Sequence, residues 1–170
     1  MTIRILGATL ILVGCGYYGF FLAAAYRKET SCLASFIEML DYFACELQYR
    51  SPPLAELFSG FAHTRKNHIS DFCGFVSDEI ERQICPNAKE CIRAALQKRG
   101  NMPKETAAML MKFGATLGMF NADGQLIEIR NTRNEAQHKL DQLLSNQDTK
   151  TKNYKTLGLC AGAAIAILFI

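Results

Sequence analysis

Thiols, imidazoles and neighbouring carboxylates are the groups from which this chain could build a reactive site. Its seven cysteines are Cys15, Cys32, Cys45, Cys73, Cys85, Cys91 and Cys160. A catalytic thiolate needs a base beside it, and a zinc site needs ligands in close pairs such as Cys-x-x-Cys. No such pair occurs, and no histidine adjoins a cysteine. An odd number with irregular spacing also fits no disulfide framework, so the thiols are expected to be reduced and buried as small hydrophobes. His63 and His68 stand five apart, which does not stack two ligands on one helix face; His138 is alone. Asp78, Glu79 and Glu81 splay around a helix instead of converging on a substrate. Gly114-Ala-Thr-Leu-Gly118 lacks the Lys-Ser/Thr ending that holds phosphate and magnesium, and neither GxSxG nor HExxH occurs. The expectation is a non-catalytic protein with no metal, no cofactor and no small-molecule substrate. Nineteen Lys and Arg against sixteen Asp and Glu give a net charge of +3 over 170 residues, too little for a dedicated nucleic-acid binder.

The spacing that does carry meaning is one of small residues. Cys15, Gly19 and Ala23 recur every four residues, as do Gly158, Gly162 and Ala166. Such rows let helix backbones approach closely inside a membrane. Both lie in apolar runs. Ile5 to Tyr26 carries no charge over 22 residues, and as a helix would span about 33 Å, enough for a hydrocarbon core of about 30 Å. Thr156 to Ile170 is uncharged over 15 residues. It is apolar on every face from Leu159 onward, which argues against a one-sided soluble helix. Its length of about 22 Å is short for a span, so Tyr154 and Lys155 would snorkel at its start. Transmembrane helices are therefore expected over 3–26 and 155–170. Arg27, Lys28, Lys150, Lys152 and Lys155 flank the middle, against Arg4 and the terminal amine outside, so the middle is expected on the cytoplasmic side. A competing reading takes Leu12-Val13-Gly14-Cys15 as a lipobox, with Cys15 lipidated and the domain an extracytoplasmic, membrane-tethered binding module. Eleven further hydrophobic residues after Cys15 speak against it.

The elements between the runs read as helical throughout. Leu33, Phe36, Ile37, Leu40, Phe43, Ala44 and Leu47 form one stripe of a helix from Ser31 to Tyr49. Ser51 is expected to cap a short helix entered through Pro52 and Pro53, with Leu54, Leu57, Phe58 and Phe61 inward. Ser70 or Asp71 would cap the next, with the stripe Phe72, Phe75, Val76, Ile80 and Ile84. Asn87 and Glu90 have capping-box spacing for a fourth. Pro103 opens a fifth carrying Ala107, Leu110, Phe113, Gly114 and Leu117. Gly118 either extends the Gly114 small-residue row or ends the helix as a left-handed cap. A last helix from Asp123 or Gly124 would carry Leu126, Ile127, Ile129, Ala136, Leu140, Leu143 and Leu144. The fold class is thus all-α, a bundle of about five to six helices over 29–153 tethered at both ends. From Arg27 to Arg82 there are six basic and nine acidic residues; from Lys89 to Lys155, twelve and seven. The basic half suits anionic lipid or an acidic partner.

Four strings, in order, resemble one family. They are the opening from Leu6-Gly7-Ala8 to Ala25-Tyr26-Arg27; Glu46-Leu-Gln-Tyr49 with Pro53-Leu54; Phe113-Gly114-Ala-Thr-Leu117-Gly118 with Gln125; and Tyr154 to Gly162 with its apolar tail. Together they resemble the stage III sporulation protein AB family across nearly the whole chain. Arg50, Pro52 and Asn121 depart from its usual Gly, Thr and Asp. The resemblance implies a structural part of the transenvelope channel between mother cell and forespore, in the mother-cell membrane. It implies contact with co-encoded stage III sporulation proteins, an assembly ATPase among them, and self-association. The family is in turn similar to the inner-membrane platform protein of type II secretion and type IV pilus machines.

Overall fold

The computed structural model describes the backbone of residues 2–64, 66–83, 87–99, 102–119, 121 and 123–145, and side chains from residue 24 onward with the exception of residue 99. Six helices make up the described residues: α1 (Thr2–Tyr49), α2 (Leu54–Ala62), α3 (His68–Glu81), α4 (Ala88–Arg99), α5 (Lys104–Thr116) and α6 (residues 123–145). No strand occurs among them. The chain divides into two compact units, Glu29–Leu140 and the pair of terminal segments Met1–Lys28 and Asp141–Ile170. In the second unit the described backbone is helical. Among the described residues no helix is long and apolar enough to cross a membrane. The side chains of most of 3–26 and the whole of 155–170 lie outside the described residues, as do the rows Cys15, Gly19, Ala23 and Gly158, Gly162, Ala166.

The helix expected to begin at Ser31 is the last part of a 48-residue α1. No proline interrupts residues 2–49, and single glycines cost only about 1 kcal/mol in a helix, so continuity wins. α1 stops where Pro52 excludes helical geometry for its predecessor. Ser51 turns to a φ of 43° and its Oγ donates to the Leu47 carbonyl at 3.1 Å. Ser51 therefore closes α1 and does not cap α2, whose N-cap is Pro53 with no side-chain bond.

Of the next two caps, one differs from expectation by a few residues and the other stands where expected. Asn67, in extended backbone, accepts from the Ser70 N–H at 2.7 Å and starts α3, displacing Ser70 and Asp71 from that role. α3 ends at Glu81. Asn87 accepts from the Glu90 N–H at 2.9 Å, but the Glu90 carboxylate is held by Arg93 at 2.8 Å, so only half of the capping box forms.

The core of the Glu29–Leu140 unit is aromatic. Leu33, Phe36, Ile37, Leu40 and Phe43 of α1 are buried as expected, joined by Cys32 and Met39, while Ala44 and Leu47 stay half-buried. Phe43 meets the Phe58 ring of α2 edge-on at 5.0 Å. Phe113 of α5 lies 6.2 Å from Phe36 and 6.1 Å from Phe43. α3 adds Ile69, Phe72, Cys73 and Val76, and α4 adds Cys91, Ile92 and Ala95. The expected α6 stripe is covered in part: Ile129 and Ala136 are buried and Leu126, Leu140 and Leu143 half-buried, but Ile127 is 57% exposed and Leu144 47%.

Candidate functional site

The cysteines fall into two environments. Cys32, Cys73 and Cys91 are buried free thiols, as expected, whereas Cys45 is free and exposed on α1. The Cys73 thiol donates to the Met39 sulfur at 3.4 Å, and burial pushes its pKa up, so it stays a neutral, unreactive thiol. Cys15, Cys85 and Cys160 lie outside the described side chains. All three histidines are exposed, at the α2 end, the α3 start and on α6. Among the described residues no group of His, Cys, Asp and Glu could hold a metal. Two concavities among the described residues are open grooves of about 520 and 490 Å³. One lies between α5 and α6 and is lined by Glu105, Lys112, Glu135 and Lys139 together with Ala108, Met109 and His138. The other is edged by Ser31, Ser35, Lys66, His68 and Asp71. Neither has the enclosed apolar lining of a small-molecule site.

The motif residues assemble two corners. Glu46, Tyr49, Pro53 and Leu54 build the α1–α2 corner. The Glu46 carbonyl accepts from Arg50 N–H at 2.9 Å and Ser51 N–H at 3.2 Å, which winds up the helix end. Arg50 then reaches Glu56 of α2 at 3.5 Å. One helical turn back, the Tyr42 hydroxyl stands over Gly60 of α2, where a Cβ would overlap it. Burial, and next the Glu46 carboxylate, raise the Tyr42 phenol above its ordinary pKa; Arg50 opposes this. Tyr42 is thus a neutral packing group at physiological pH. Tyr49 is left 80% exposed.

Phe113, Gly114, Leu117, Gly118 and Gln125 build the α5–α6 corner. Phe113 and Leu117 are buried. Gly114 is a close-approach point: a Cβ there would stand 2.6 Å from Ile92 Cδ1 and 3.5 Å from the Lys89 Cα of α4. Gly118 has a φ of 79° and open space where its Cβ would be. It is a left-handed turn residue and takes no part in a small-residue row with Gly114. Asn121 then starts α6, its side chain accepting from Gly124 N–H at 3.1 Å and its carbonyl from Gln125 N–H at 2.9 Å. The Gln125 Nε2 is buried with no hydrogen-bond partner among the described residues. Met119 is 73% exposed, as is Ile127 by 57%.

The structure therefore links α2 to the α5 motif residue Phe113 through Phe43 of α1, and leaves apolar groups outside. Phe43 of α1 touches both Phe58 of the first hairpin and Phe113 of the second. Tyr49, Met119 and Ile127 are large apolar side chains facing solvent, two of them within a few residues of a turn. Sequence reading missed Met119 and misplaced Ile127. A large apolar residue next to a glycine break, such as Met119, is the signal that was there to be read.

Comparison with known proteins gives the family. Residues 4–170 match the family model described as Stage III sporulation protein AB. The chain is 23% identical over 171 residues to Stage III sporulation protein AB of Bacillus subtilis (strain 168), covering 99% of each. It is similar in fold to a solved structure of Stage III sporulation protein AB (SpoIIIAB), with a TM-score of 0.63 at 18% identity over 72% of this chain and 98% of that one. With a match running almost end to end, the chain belongs to the stage III sporulation protein AB family.

Proposed function

We propose that the chain is a non-catalytic platform component of the sporulation channel between mother cell and forespore. Two membrane spans, over 3–26 and 155–170, would hold the helical domain at the cytoplasmic face of the mother-cell membrane. There it would meet the co-encoded assembly ATPase and other stage III proteins. The observation that carries this reading is the family match over residues 4–170, which takes in both apolar runs and not the helical domain alone. Charge supports the orientation, because Arg27, Lys28, Lys150, Lys152 and Lys155 all border the middle region.

The exposed apolar groups at the two corners are the docking points this reading assigns to the ATPase contact. Buried aromatic and large apolar anchors carry most of the energy of such contacts. Co-purification of the ATPase with the full-length chain from sporulating cells tests this. The native chain is expected to retain the ATPase. Tyr49→Asp, or Met119→Asp with Ile127→Asp, is expected to cut recovery about tenfold, equivalent to one anchor worth about 1.4 kcal/mol. Equal ATPase recovery with native and doubly altered corners would remove the ATPase contact from these corners.

A further inference from the structure

The helices of the Glu29–Leu140 unit are not all held by the same means. α1, α2 and α5 interlock through the rings of Phe36, Phe43, Phe58 and Phe113. α6 brings no aromatic ring to this core, since residues 123–145 contain none. Over 123–140 its fully buried residues are Ile129, Thr132 and Ala136, with Leu126 and Leu140 half-buried at its two ends. Of the three fully buried, one is a branched aliphatic, one carries a hydroxyl and one is a single methyl.

What spans the α6 seam is charge. Lys112 of α5 reaches Glu135 at 2.5 Å, and Lys139 reaches Glu105 of α5 at 3.2 Å. These two crossings run in opposite order along the helices, so α5 and α6 are antiparallel. On the other side Arg133 donates to Asp41 of α1 at 3.0 Å. All six side chains are between 37% and 62% exposed. Beneath the α5 pairs lies the open groove of about 520 Å³, with Ala108, Met109 and His138 in its walls. Interdigitating helices would have closed such a gap. α6 is thus bridged to its neighbour across a groove more than it is packed into it.

Exposed ion pairs and buried apolar contacts respond differently to salt. The screening length falls from about 10 Å at 0.1 M to about 3 Å at 1 M, which weakens exposed pairs and leaves apolar burial intact. Segments with few buried contacts open locally while the rest of a domain stays folded. We infer that α6 is an electrostatic clasp. Its 123–140 segment releases from α1 and α5 as one unit when its bridging pairs are screened, or are competed for by a charged surface. The packing of α1 to α5 survives that release.

Amide hydrogen exchange of the full-length chain in detergent micelles, at about 0.05 M and about 1 M NaCl, tests this directly. The amides of 125–140 are expected to exchange about tenfold faster at the higher salt, the loss of three exposed pairs at the usual magnitude. Those of 32–43 in α1 should not change. Lys139→Glu is expected to raise α6 exchange already at low salt, and Glu105→Lys combined with Lys139→Glu to restore protection. Protection of α6 that is independent of salt, or that is lost together with that of α1, overturns the clasp. The native-chain salt series decides the matter even where a charge-reversed variant fails to fold.

Discussion

Replacing Phe113 with alanine is expected to be among the most damaging single changes in the chain, costing about 3–5 kcal/mol. The ring is 1% exposed and touches two rings of α1, Phe36 at 6.2 Å and Phe43 at 6.1 Å. Phe43 in turn carries the edge-on contact to Phe58. Removing Phe113 therefore opens a cavity beneath the residue that ties the α1–α2 hairpin to the α5 hairpin. Thermal melting of the full-length chain followed by far-UV circular dichroism measures this. At roughly 2–8 °C for each kcal/mol, Tm should fall by at least about 6 °C. Phe113→Leu, which keeps much of the volume, should lose far less. A Tm within about 2 °C of the native value for Phe113→Ala would show that the ring is not a core keystone.

Gly114→Leu is expected to destabilise by about 1–3 kcal/mol through overpacking. At that position a bare Cβ already presses on Ile92 Cδ1 at 2.6 Å, with the α4 backbone at Lys89 Cα 3.5 Å away. A longer side chain cannot be absorbed by turning the end of Ile92, and α4 has to move. Gly114→Ala is milder, because a terminal methyl can shift and alanine favours the helix by about 1 kcal/mol. Gly118 offers the contrast. Its surroundings are open and only its φ of 79° constrains it. Gly118→Asn should be nearly neutral, since asparagine tolerates that backbone, whereas Gly118→Leu should cost about 1–2 kcal/mol from backbone strain alone. The two series separate in the same melts. Gly114→Leu melting with the native chain would remove the close approach of α4 and α5.

The helices were legible because their signals are local. Prolines at 53 and 103, the Asn87-to-Glu90 spacing and the Leu33-to-Phe43 stripe each act within a turn or two of chain, and each reappears in the structure. Asn67 was missed as a cap because the polar run around it offered several candidates, and only the extended backbone at that residue selects one. The α6 stripe held only in part for a different reason. Periodicity states which residues share a face, not whether a partner covers all of that face, and α5 meets α6 across an open groove while Ile127 stays exposed. The role of Gly118 was undecidable between cap and packing row until its φ was known. The two corners were legible as motifs through their resemblance to a family. Their joining through Phe43 was not, because it is a contact between residues 15 and 70 positions apart.

The proposed platform role requires the helical domain to lie at the cytoplasmic face between two membrane spans. Among the cysteines with described side chains, Cys45 is the thiol that can report on this. It is exposed and free, whereas Cys32, Cys73 and Cys91 are shielded by the fold on either side of a membrane. Membrane-impermeant maleimide is applied to protoplasts expressing the native chain, before and after permeabilisation, and the Cys45 peptide is read by mass spectrometry. Cys45 should stay unmodified in sealed protoplasts and become modified once they are permeabilised. Modification of Cys45 in sealed protoplasts would contradict the account and place the domain outside, as the lipoprotein reading of Cys15 requires.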